Sequence, residues 1–154
     1  MIKTSKENRE IVARLSRKLG LGSENHISRI AFSYSINSEK KLNISEINNS
    51  MGKVYSKSVF FGNNFDIYIG MVCMKYNIHS SDNDIIKYIK MHVDDGLESL
   101  SELVEEKGIL NGFDLIKSIT WIYFLSEISV IKSENPNETP LSCISLIISN
   151  PPFA

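Results

Sequence analysis

The sequence predicts a mainly α protein, a compact helical domain of four or five helices, with a short N-terminal strand allowed by residues 2 to 4. Two observations carry this. Apolar residues recur at helical spacing in four stretches between residues 5 and 108, each bounded by a capping residue or a glycine. The chain of 154 residues, 42% apolar and 23% charged, also has the make-up of a soluble globular protein, long enough for one domain with a core and short for two.

Taken in order, Ile2-Lys3-Thr4 reads as extended, and Thr4-x-x-Glu7 fits a capping box at a helix start. Ile11, Leu15 and Leu19 recur every four residues with Val12 beside them, and Gly20 suits the left-handed position that ends a helix. Ser23 or Asn25 can cap a second helix with the apolar set Ile27, Ile30, Ala31 and Tyr34. Residues 37 to 58, rich in Ser and Asn, read as a loop with room for a short irregular helix at Ile44 to Met51, and Val59-Phe60-Phe61-Gly62 as an apolar turn entry. Phe65 to Tyr76 is expected to be a buried helix. Ser81-x-x-Asp84 is expected to cap the next, whose stripe of Ile85, Ile89, Val93, Leu97 and Leu100 ends near Gly108. Gly96 inside that stripe costs about 1 kcal/mol relative to Ala, which predicts a close helix approach there. Residues 113 to 131 form an apolar run interrupted by Asp114, Lys117 and Glu127, better suited to a core or interface helix than to a membrane span. A loop at 135 to 140 and a short strand at Leu141 to Ser149 follow.

The net charge of −1 hides an asymmetry. Residues 1 to 90 hold 14 Lys and Arg against 8 Asp and Glu, a balance of +6; residues 91 to 154 hold 3 against 10, a balance of −7. The basic end is a candidate polyanion surface, with Arg14, Arg17, Lys18, Lys40 and Lys41 as phosphate contacts. Amides at the start of the second helix, near Asn25 and His26, could add to it. The uneven charge can equally be a solvated surface. Arg29 stands among core residues, where an ion pair and a DNA contact are both open.

Four features in this order resemble the DndE family of bacterial DNA sulfur-modification (phosphorothioation) proteins. They are the basic first helix closed by Gly20-Leu21-Gly22, the strings Arg29-Ile-Ala-Phe-Ser-Tyr-Ser35 and Phe61-Gly-Asn-Asn-Phe-Asp-Ile-Tyr-Ile69, and the closing Met91-His-Val-Asp-Asp-Gly-Leu-Glu-Ser-Leu100. The resemblance covers roughly residues 2 to 105. It divides the chain into a DndE-like helical DNA-binding domain, 1–107, and an extension, 108–154, for which the family gives no guidance. It implies a non-catalytic subunit that holds duplex or nicked DNA, and the two widely spaced cysteines, Cys73 and Cys143, suit a cytoplasmic protein. The resemblance also implies assembly as a homo-tetramer or other homo-oligomer, beside a sulfurtransferase-like protein and an ATPase that perform the chemistry. Two rivals stand beside it: a ribbon-helix-helix regulator, suggested by a strand followed by two short helices, and a nuclease or nickase, which needs an acid–metal site.

Other chemistry finds little support. His26, His79 and His92 are scattered without metal-ligand spacing, and Cys73 and Cys143 form no Cys-x-x-Cys pair, so no metal, cofactor or disulfide framework is expected. Asp94 and Asp95 point about 100° apart on a helix and read as a solvated face. His92 reads as a packing or hydrogen-bonding residue, and Asp66 as a helix-start acid that favours the dipole. Asn150-Pro151-Pro152-Phe153 matches the tetrapeptide with which adenine DNA methyltransferases hold a flipped base, but no glycine-rich cofactor turn or β-α alternation precedes it, so it reads as chance. No P-loop occurs, and ATP use is not expected.

Overall fold

The computed structural model describes residues 1–121. Met1–Gly112 forms one compact unit. In chain order it contains β1 (Ile2–Lys3), α1 (Asn8–Leu19), α2 (Glu24–Ile36), a 3-10 turn (Ile44–Glu46), β2 (Val54–Tyr55), α3 (Lys57–Phe61), α4 (Phe65–Tyr76) and α5 (Ile85–Glu106). Beyond it, residues 113 to 121 are helical. The remainder of the apolar run to 131, the loop at 135–140, the strand expected at 141–149, Cys143 and the Asn150–Phe153 tetrapeptide lie outside the described residues.

The long helix α5 organises the unit. Its stripe Ile85, Ile89, Val93, Leu97 and Leu100 is buried throughout, as the periodicity predicts. The helix it packs against most extensively is α2. The two backbones meet at Gly96, where an added Cβ would stand 2.0 Å from the Ala31 carbonyl oxygen. Only hydrogen fits there, and the expected close approach is found. Around the crossing, Ile27, Ala31, Phe32 and Ile36 of α2 and Val12, Leu15 and Leu19 of α1 complete the core. Ile11, expected on the same stripe, is half-buried, and Ile30 and Tyr34 sit at the edge of the α2 face while Phe32 takes the centre.

Several local expectations change. Gly20 does close α1 in the left-handed conformation, at φ 63°. The Thr4–Glu7 capping box does not form. Thr4 is buried and its hydroxyl accepts a hydrogen bond from the Lys53 amide at 2.8 Å, so the Ser5 hydroxyl takes the Asn8 amide instead. Ser81 is likewise bypassed: the Asp82 carboxylate accepts from the Asp84 amide at 2.7 Å. The 37–58 loop holds a strand that no alternation announced. β2 pairs antiparallel with β1, Ile2 against Tyr55 and Lys3 against Val54. The expected turn entry at 59–62 is the end of α3, begun by Ser56, whose hydroxyl accepts from the Val59 amide.

The helix expected at Phe65–Tyr76 has those bounds but is not buried: of its residues only Val72 falls in the core. Its apolar residues surround the helix instead of forming one stripe, so packing one face leaves the others outside. The aromatic cluster of Phe32, Phe60, Phe61, Phe65 and Tyr68 covers the inner side, with ring centroids 4.9–5.6 Å apart in tilted or edge-on pairs.

Gly96→Ala is expected to force α2 and α5 apart and cost about 1–3 kcal/mol, the usual penalty for overpacking. A lowered denaturant midpoint at unchanged slope is the measurement; an unchanged midpoint would show that the crossing can widen freely.

Candidate nucleic-acid interface

The outer face of α1 carries Arg14, Arg17 and Lys18, all exposed. Their spacing places them away from the Val12, Leu15 and Leu19 stripe that faces the core. Arg17 and Lys18 lie in the last turn, where cations complement the helix dipole without any ligand. Arg17 donates to the Ala13 carbonyl of the preceding turn at 3.2 Å, and among the described residues neither Arg17 nor Lys18 has an acidic partner. Arg14 is different: one guanidinium nitrogen meets Glu105 and another donates to Ser101, both on α5.

Lys40 and Lys41 are exposed at the end of the segment that follows α2. Lys40 pairs with Asp95, and this hydrogen bond holds its ammonium above the usual range. Arg14 thus reaches α5 at residues 101 and 105, and Lys40 reaches it at 95. Glu98 and Glu102 stand on the helix surface between them. A shallow groove of about 360 Å³ follows this acidic strip, lined by Tyr34, Lys40, Asp95, Glu102, Leu103 and Glu106 among others. The structure therefore divides the expected basic set into two patches separated by acid. Burial pushes the Glu98 carboxyl up, partly opposed by a hydrogen bond from Asn8.

Arg29 belongs to neither patch. It donates to the Phe60 carbonyl at 2.6 Å and to the Val59 carbonyl at 2.7 Å, satisfying acceptors in the last turn of α3. The acidic neighbour weighed from the sequence is replaced by backbone. Lys75 does the same for α2, donating to the carbonyls of Ile36 and Ser38. At the start of α2, His26 Nδ1 lies 2.8 Å from the Leu21 carbonyl and the Asn25 amide donates to Val59, so both side chains are engaged within the fold.

Two polar clusters were not legible as such. Asp94 is buried rather than solvated. It pairs with buried Lys90 at 2.8 Å and accepts from the Ser5 amide and the Asn8 side chain. Asp95 is half-buried and accepts from the Ser35 hydroxyl at 2.6 Å. That assigns the rest of a chain of bonds: with its one proton on Asp95, Ser35 accepts from His92 Nδ1–H at 2.8 Å, leaving Nε2 to accept from Tyr76 at 2.9 Å. The Leu42 amide donates to the Tyr76 oxygen in turn. His92 is the hydrogen-bonding core residue expected of it. Burial, seconded by the Lys75 charge, lowers its pKa from 6.5 to about 4. Among the described residues no group of three or more His, Cys, Asp or Glu is arranged to hold a metal ion, and no helix is long and apolar enough to cross a membrane.

These features define a class: a small helical protein with a two-stranded N-terminal ribbon, a basic first helix and a long central helix. Within it, the chain belongs to the DNA sulphur modification protein DndE family, whose model matches residues 1–107. No curated protein matches the chain. Among solved structures, DndE from Escherichia coli B7A, described as involved in DNA phosphorothioation modification, is similar with a TM-score of 0.52 and 22% identity over 64% of this chain and 94% of that one. A DndE mutant with glycine-to-lysine changes, described as involved in DNA phosphorothioation, has a TM-score of 0.53 and 20% identity over 64% and 93%. At these identities the likeness bears on the fold. Family membership and the in-chain pairing of β1 with β2 together displace the ribbon-helix-helix alternative, which needs β1 for a second subunit.

The His92 value sets a pH dependence. The fold holds the neutral imidazole, so below pH 6.5 the unfolded chain takes up a proton that the folded chain accepts only near 4. Stability contributed by this group is lost as pH falls through that window, by up to about 3 kcal/mol. Urea melts at pH 7 and pH 4.5 should show a smaller loss for His92→Gln than for the unaltered chain; equal losses would assign the effect to other groups.

Proposed function

We propose that this chain is a non-catalytic, DNA-holding subunit of a bacterial DNA phosphorothioation system. It would work as a homo-oligomer, a tetramer being the form the family resemblance implies, beside a sulfurtransferase-like protein and an ATPase, with residues 108–154 as an added extension. The observation that carries DNA contact is the pair Arg17 and Lys18, exposed on α1 with no acidic partner among the described residues. Phosphate neutralisation needs flexible cations on one face and no fixed spacing. Arg14 joins them when DNA displaces Glu105. Lys40 and Lys41 form the second patch, and Arg29, held by carbonyls, supports α3 more than it meets phosphate.

The holding role is supported by the state of a serine–histidine pair that resembles catalytic machinery. Ser35 and His92 are buried, and the serine proton is directed to Asp95, not to the imidazole. A nucleophile must hand its proton to the base and face its substrate; this one does neither. Its geometry suits a structural bond.

Gel-shift titrations with intact, nicked and single-stranded DNA test the reading. Arg17→Ala with Lys18→Ala should weaken all duplex sequences alike and lower the salt slope by about 0.9 per lost contact without unfolding the chain. Unchanged affinity and slope would remove α1 as the surface.

Glu105→Gln makes the opposite prediction. Releasing Arg14 from its exposed ion pair should tighten duplex binding severalfold at low salt, with the gain fading as salt rises. A gain that ignores salt would show that Arg14 is not the group released.

A further inference from the structure

The outward face of α4 has no occupant within the compact unit. Ile67 is 60% and Met74 86% exposed, and Gly70 and half-buried Met71 lie between them on the same side of the helix. Gly70 is the informative residue. Gly96 and Gly52 are explained internally, since an added Cβ would stand 2.0 Å and 1.9 Å from backbone oxygens. At Gly70 an added Cβ meets nothing within 4 Å. Glycine weakens a helix interior relative to alanine, and here no neighbour in the unit requires it.

We propose that α4 is a two-fold interface between two copies of this chain, the helices crossing antiparallel with Met71 of each seated on Gly70 of the other. This names the contact face for the self-assembly read above and rests on that reading. The sequence is self-complementary about the point between residues 70 and 71. The same axis sets Ile67 opposite Met74 and Asp66 opposite Lys75, whose ammonium keeps one proton for an acid beyond the two it gives to the Ile36 and Ser38 carbonyls, and the helix dipoles oppose. Asp66 is exposed and has no ion pair among the described residues. An apolar row with a glycine hollow and terminal charges of opposite sign fits its own copy better than a nucleic acid or a uniformly charged partner.

Sedimentation velocity of the full chain across a wide concentration range is the test. The unaltered chain should self-associate, and Met74→Glu should raise the dissociation constant at least tenfold while leaving the helical spectrum unchanged. Gly70→Ala should raise the melting temperature of the dilute chain and weaken association, a pair of opposite effects that a purely structural glycine would not give. With Cys73 and Cys143 replaced by Ser, Ile67→Cys mixed with Met74→Cys should form a disulfide between copies on mild oxidation. A chain monomeric at every concentration would overturn self-assembly and the α4 contact together. An assembling chain that ignores Met74→Glu and fails to cross-link would overturn the α4 contact alone.

Discussion

The close crossing of α2 and α5 sets the terms for the rest of the unit. With Gly96 against the Ala31 carbonyl, the helices approach until backbone meets backbone, and every neighbouring side chain must suit that spacing. Phe32 and His92 pack edge to face at 6.2 Å beside it, and Ser35 comes within bonding reach of both His92 and Asp95. A wider crossing would leave the buried hydroxyl and imidazole short of partners, which in a low-dielectric interior costs more than the bonds themselves return.

A second constraint runs along α5. The four-residue spacing of Lys90 and Asp94 lets them pair on one face, and burial makes each dependent on the other. Asp94 also gathers the start of the chain through Ser5 and Asn8, while Lys90 donates to the Asn48 carbonyl. The N-terminal ribbon, the 37–58 loop and the central helix are thus tied at one ionic centre. Neighbouring Asp95 turns to the other side, toward Ser35 and Lys40. Two adjacent carboxylates hold two different parts of the fold, as their separation around the helix dictates.

Helices α1, α2 and α5 were legible because each has a periodic core face: Val12, Leu15 and Leu19, or Ile85 to Leu100, identify themselves by spacing alone. Gly96 was legible as a close approach because glycine inside an amphipathic helix needs a reason. The polar interior was not. Whether an aspartate is solvated or buried depends on which distant residue meets it, and the bond from Ser5 to Asp94 spans 89 residues. β2, two residues long, has no alternation to detect. α4 misled because an all-round apolar composition suggests burial whether its cover comes from the same chain or another. In the candidate interface, the cations were identifiable by type, but the acids that hold Arg14 and Lys40 are distant in sequence. Arg29 and Lys75 show the same limit, because a cation on a helix end looks, in sequence, like any other.

The tether between the two ends of this unit has a consequence for how the chain is made. Ile2 and Lys3 leave the ribosome well before their strand partners Tyr55 and Val54, and Ser5 and Asn8 await Asp94. Closing loops of this length is entropically costly until the core that rewards them exists. These early-made residues are therefore among the last of the unit to be seated. During synthesis α1 emerges as a basic amphipathic segment whose apolar stripe α2 can cover only in part until α5 is complete.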